Sequence, residues 1–244
     1  MKTFSYDSTF EGFLCVLGEI INIYKTIPEE NIIIEKKDSL LKSKIIDTVS
    51  DTAKKTAEYI KKEFSFETFK TIRNAFLSEE DGIESLIIKY LRLCMIYRKE
   101  INSLLHIEEV QKIISFAKKV VYEAHRFKGL IRFMETEDGF LFAIIEPRYN
   151  ILSLLGSHFK KRLEGKDWII SDAIRKKALV CKDGRYEIIE LNNLPKFNLT
   201  DSEIYFQKLW KRYFKIMAIP ERISSKLQKQ NLPLYYRKNM TEFK

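Results

Sequence analysis

Val120–Pro147, VVYEAHRFKGLIRFMETEDGFLFAIIEP, changes period half-way along and so separates a helical part of the chain from a mixed one. Its start completes a helix that begins at His106. Val110, Ile113, Ile114, Ala117, Val121 and Ala124 share one apolar stripe, which Phe116 and Val120 widen. From Gly129 the period becomes strand-like. Leu130–Thr136 and Phe140–Glu146 form two apolar runs joined by Asp138-Gly139, a hairpin-turn dipeptide. Glu123, His125, Arg126 and Lys128 crowd the helix end, with Arg132 just beyond.

Toward the N-terminus, Lys2–Tyr6 predicts a short strand and Asn31–Glu35 a second beside it. Between them Thr9 caps a helix with Phe13, Leu14, Leu17, Ile20, Ile21 and Tyr24 on one face, stopped by Pro28. Ile45–Phe64, Phe66–Leu77 and Ile83–Lys99 read as helices. Toward the C-terminus a helix runs from Pro147 to about Leu163, ending near Gly165. Strands follow at Trp168–Ser171, Ala178–Lys182 and Arg185–Leu191, the last two joined by Asp183-Gly184, and Pro195 breaks the sheet. Thr200-Asp201-Ser202-Glu203 has the capping-box pattern and opens a helix to about Ala218. Pro220 starts another short helix, and Pro233 leads into a basic tail. The expected class is α+β: residues 1–105 a helical lobe with a two-stranded element, residues 106–244 a basic lobe with an antiparallel sheet and flanking helices, or one continuous domain.

The 244 residues, 45% of them hydrophobic, are enough for a full core. No apolar run reaches the ~18 residues of a membrane span, and the first residues lack a signal peptide's apolar segment. Cys15, Cys94 and Cys181 are scattered and odd in number. That predicts neither a disulfide framework nor a metal cluster, and fits a soluble protein of a reducing cytoplasm.

The net charge of +9 is unevenly placed. Residues 1–122 carry 19 Lys and Arg against 19 Asp and Glu, while residues 123–244 carry 24 against 15. From Tyr205 onward the count is 10 against 2. Such concentration is the footprint expected for a polyanion partner, nucleic acid first.

Two readings fit the helix end. The cations complement the negative helix C-terminus, with Gly129 as a left-handed cap. Alternatively Arg126, Lys128 and Arg132 grip phosphates, with His125 as hydrogen-bond donor or proton shuttle. Glu123, Glu146, Asp167 and Asp172 are the carboxylates nearby, without metal-ligand spacing. Farther on, Trp210, Lys211, Arg212, Tyr213, Phe214 and Lys215 interleave rings with cations, as do Tyr235, Tyr236, Arg237 and Lys238. Helical spacing sends Trp210, Tyr213 and Phe214 to the core and leaves Lys208, Lys211, Arg212 and Lys215 solvated. Tyr235 and Tyr236 are freer to stack, because Pro233 argues against a regular helix there. No glycine-rich phosphate loop, nucleophile elbow, His-Glu-x-x-His or Cys-x-x-Cys is present, so no cofactor and no metal is expected.

Several segments together resemble a bacterial family, the domain of unknown function 4130 group, whose members are labelled DNA repair or DNA metabolism proteins. They are YDSTFEGFL (Tyr6–Leu14), EAHRFKGLIRF (Glu123–Phe133), IIEPRYNILSLLGSHFKKRL (Ile144–Leu163), WIISDAIRKKAL (Trp168–Leu179) and the segment Leu209–Phe243. Ser8, Tyr122, Phe127 and Tyr236 depart from the usual Gly, basic residue, Met and Trp. The resemblance implies association with DNA metabolism. Relatives are fused to uracil-DNA-glycosylase-like domains or stand beside a radical-SAM DNA repair protein, so this chain would be the partner component.

The expectation is therefore a DNA-binding accessory protein using Arg126, Lys128, Arg132, Lys211, Arg212, Tyr235, Tyr236, Arg237 and Lys238. The competing expectations are an enzyme acting on DNA with Glu123 and His125 as acid and base, and a protein–protein adaptor without DNA affinity.

Overall fold

The computed structural model describes residues 2–27, 31–35, 43–191, 197–219 and 224–243. The expected breaks at Pro28 and Pro195 and the expected helix start at Pro220 lie outside them. The chain divides into two compact units, Met1–Val120 and Val121–Lys244. The boundary falls inside a helix, whereas the sequence placed it before that helix.

In the first unit β1 (Lys2–Ser5) lies between β2 (Ile32–Glu35) and β3 (Lys44–Ile45), parallel to both. Parallel neighbours need a crossover, and α1 (Phe10–Thr26) supplies the one between β1 and β2. The Thr9 hydroxyl caps α1 by accepting from Gly12 N at 2.9 Å. All six residues expected on the apolar face of α1 are buried. The element is thus three-stranded rather than two-stranded. Ile46 N donates to Ser5 O, so this segment pairs with β1, and α2 (Ser50–Glu63) starts five residues later than its apolar period predicts. Then come α3 (Phe66–Phe76) and α4 (Ile83–Tyr97).

α5 (Glu108–Leu130) runs through the boundary. Its buried line is Val110, Ile113, Ala117, Val120, Ala124 and Phe127, a strict three-four spacing. Val120 is therefore inside and Val121 outside, the reverse of the expected emphasis. The helix continues through Gly129, which takes no positive φ and caps nothing. As a result only Met134–Glu135 remains as strand β4 of the expected Leu130–Thr136 run.

β4 and β5 (Leu141–Ile145) form the hairpin expected at Asp138-Gly139, where Gly139 has φ +83°. α6 (Leu152–Arg162) leads to β6 (Trp168–Asp172), which pairs parallel to β5. β7 (Lys177–Lys182) and β8 (Arg185–Glu190) complete the order β4-β5-β6-β7-β8, antiparallel except for the β5–β6 pair. The sheet is thus mixed, since α6 acts as a crossover rather than as a flank. Asp183 and Gly184 take φ +49° and +71°, as a two-residue hairpin turn requires. Phe133, Phe159 and Trp168 meet edge to face in the core of this unit. Last come α7 (Asp201–Ile216), α8 (Ser225–Asn231) and α9 (Leu234–Arg237). α9 stands where Pro233 argued against a helix; the proline occupies the N-cap, where its missing N–H costs nothing.

Candidate functional site

Glu123 and His125 are two positions apart on α5, a spacing that turns side chains to different faces. Glu123 is buried, and its carboxylate accepts from Arg148 N at 3.0 Å, Tyr149 N at 2.8 Å and Tyr235 Oη at 3.2 Å. It thereby ties α5 to the segment after β5 and to α9. Burial comes first in pushing the Tyr235 hydroxyl above its ordinary range, with Tyr236 and Glu123 adding to it. His125 is exposed. The structure therefore does not bring this acid and base together.

Most of the expected phosphate grips hold the unit together instead. The Arg126 guanidinium donates to the Asn231 carbonyl and lies 4.6 Å over the Tyr236 ring. Arg132 pairs with the Glu242 carboxylate at 2.7 Å and also donates to the Gly129 and Leu130 carbonyls. Burial opposes ionisation of Glu242, but the bonds from Arg132 outweigh it and hold this carboxyl below the usual range. Arg237 donates to Leu232 O and Gln228 Oε1 and covers the Phe243 ring. Lys238 pairs with Glu146, which holds that carboxyl low. Tyr236 is buried against Phe127 and is no stacking surface. Asp172 is fully buried and accepts from Arg175, whose other bonds go to the carbonyls of Pro147 and Arg148. Among the described residues no group of three or more His, Cys, Asp or Glu could hold a metal.

Lys128 behaves differently, since its ammonium has no ion-pair partner among the described residues. It belongs to a cluster that the sequence did not single out. Arg162 on α6 donates to the Lys128 carbonyl at 3.2 Å, which brings the two helix ends together. His158, one turn before Arg162, stands edge-on to Phe159, and its Nε2 is buried with no hydrogen-bond partner. Burial and then the charges of Lys128, Arg162 and His125 hold the His158 imidazole below its ordinary pKa. Four cationic or protonatable groups thus converge with no carboxylate paired to them among the described residues, an arrangement whose chemistry suits an anion. The signal was present in SHFKKR, where His158 and Arg162 sit at i and i+4, but it reads equally as a solvated face.

Lys208, Lys211, Arg212 and Lys215 on α7 are exposed and unpaired among the described residues. The rings of α7 are exposed too, contrary to the core position predicted from their spacing: Trp210 by 41%, Tyr213 by 54% and Phe214 by 38%. Among the described residues the helix is held through Phe214 against Phe243, through the Trp210 indole N–H on Glu242 and through Glu203 on Glu135 N. Periodicity predicted a buried face, and no described residue covers most of it.

Among the described residues no helix is long and apolar enough to cross a membrane. No curated protein and no solved structure matches the chain. A family model described as a domain of unknown function, DUF4130, matches residues 81–242; it covers α4 to the C-terminal turn and leaves out Tyr6–Leu14. Because that match spans well over half of the sequence, the chain belongs to the DUF4130 family.

Proposed function

We propose that this protein is a nucleic-acid-binding accessory factor of DNA repair or DNA metabolism, acting beside an enzyme that carries the reaction. The observation that carries this reading is the unbalanced cluster of His125, Lys128, His158 and Arg162. Phosphodiester oxygens are the ligand such a cluster suits, and the excess of cations in residues 123–244 would draw a polyanion to it. The saturated, inward-facing Glu123 favours an accessory role over acid–base catalysis by Glu123 and His125. A radical-SAM DNA repair protein is the enzyme partner that the family resemblance implies. A cytoplasmic location fits three buried cysteines, none of them in a disulfide.

The test is fluorescence anisotropy with a labelled oligonucleotide across a salt series. The affinity of the unaltered chain should fall steeply with salt. Replacing Lys128 and Arg162 together by Ala should reduce the log–log salt slope by about two units, near 0.9 per lost phosphate contact. Arg126→Ala, which frees a carbonyl rather than a phosphate, should leave the slope alone. An unchanged slope in the double variant would remove the cluster from the binding site.

A further inference from the structure

An open groove of about 430 Å³ runs beside α7, lined by Glu203, Phe206, Gln207 and Trp210 on the helix and by Arg132, Phe133 and Thr241 around it. Phe133, Phe206 and Trp210 give it three ring walls, and Gln207 and Glu203 are bonded to each other along the helix. Glu242 takes both the Arg132 guanidinium and the Trp210 indole N–H. Trp210 lies nearly parallel to Tyr213, with centroids 5.7 Å apart and 23° between the planes, so the groove continues into a second exposed ring.

The chemistry of the helix narrows the occupant. α7 carries four exposed cations that are unpaired among the described residues, and residues 205–244 carry 10 basic against 2 acidic side chains. A second copy of the chain would bring the same cations into opposition. The cations lie across the helix from Phe206 and Trp210, so a flat base joined to a charged backbone that crosses the helix meets both faces, and that describes a strand whose bases are free to leave the stack. In duplex DNA the bases are already stacked and cannot enter.

We propose that the α7 groove is a receptor for unpaired bases of single-stranded nucleic acid, with the strand's phosphates on Lys208, Lys211, Arg212 and Lys215. The site rests on the nucleic-acid reading of the basic unit and adds strand preference to it. The α5–α6 cluster takes phosphate alone and serves either form, while the groove distinguishes them.

The two tryptophans provide a direct readout, because Trp168 is fully buried and Trp210 lines the groove. Titrating the full chain with oligo(dT) should quench Trp emission, whereas a duplex of equal phosphate content should bind without quenching. Trp210→Phe should abolish the quench and keep single-strand affinity within about two-fold, since a ring is retained. Phe206→Ala should weaken single-strand binding about five-fold or more and leave duplex binding unchanged. Phe206 is largely exposed, and a melting curve matching that of the parent chain confirms its fold. If oligo(dT) binds without quenching and Phe206→Ala changes nothing, the groove proposal is overturned while nucleic-acid binding stands. Absence of binding by either form at low salt overturns both. A dimer seen by light scattering that Phe206→Ala disperses, with oligonucleotide affinity intact, gives the groove to a second copy and also overturns the proposal.

Discussion

Glu123 shows how a carboxylate can belong to a sequence signature and still be architecture. It is buried and takes two backbone N–H groups and a tyrosine hydroxyl, so its removal leaves three donors without an acceptor. Glu123→Ala should destabilise the protein by about 3 kcal/mol, read as a shift in the denaturant midpoint at constant slope. A fold of unchanged stability would return Glu123 to the list of reactive groups. His158 carries the opposite expectation, because its environment disfavours charge. Its folded pKa is depressed, so its neutral form contributes stability above the ordinary value of 6.5, and that contribution is lost as pH falls through the lowered value. On the nucleic-acid reading a bound phosphate would offset the repulsion from Lys128, Arg162 and His125 and favour the imidazolium, so binding would take up a proton. Oligonucleotide affinity at fixed salt should therefore rise between pH 7.5 and 5.5, and His158→Ala should flatten that rise. Equal pH dependence in both proteins would exclude His158 from the site.

At the scale of elements, α5 marks how far the sequence could be read. Its apolar period was legible because six inward positions repeat at three-four spacing, and the hairpins at Asp138-Gly139 and Asp183-Gly184 because their glycines take positive φ. Its end was not legible: Gly129 looked like a cap but lies inside the helix, where an added Cβ would meet no atom of another segment within 4 Å. Gly129→Ala should thus stabilise the protein by about 0.5–1 kcal/mol and raise the melting temperature, where a left-handed cap would have made alanine costly. A fall in melting temperature would mean that the helix stops earlier. The candidate site was less legible than the fold. Arg126, Arg132, Arg237 and Lys238 are cations by sequence, but their partners, Asn231 O, Glu242, Leu232 O and Glu146, lie between 5 and 110 positions away. Charge is written in the chain; whether a charge is already spent depends on tertiary neighbours. α7 failed in the other direction, since its amphipathic period was real and the described residues leave most of its apolar face uncovered.

For the molecule as a whole, charge and compactness divide at the same place. The unit Met1–Val120 contains equal numbers of acidic and basic side chains, and the unit Val121–Lys244 carries the entire +9. The first unit has a core of its own, in which Phe13, Leu17, Ile20, Ile60, Ile72, Ile87 and Leu91 are fully buried. If nucleic acid is drawn by the unbalanced charge, the footprint on the full chain should be confined to one unit. Hydrogen exchange with and without oligo(dT) is the measurement, because it reads each segment in the intact protein. Amides at the C-terminal end of α5, along α6 and along α7 should slow, while those of α1 to α4 should keep their rates. Added salt should reverse the protection, since the phosphate contacts that produce it are screened and exchanged for counterions. Protection spread evenly over both units would mean that binding tightens the whole molecule rather than covering a surface, and the charge division would then have no bearing on where the strand lies.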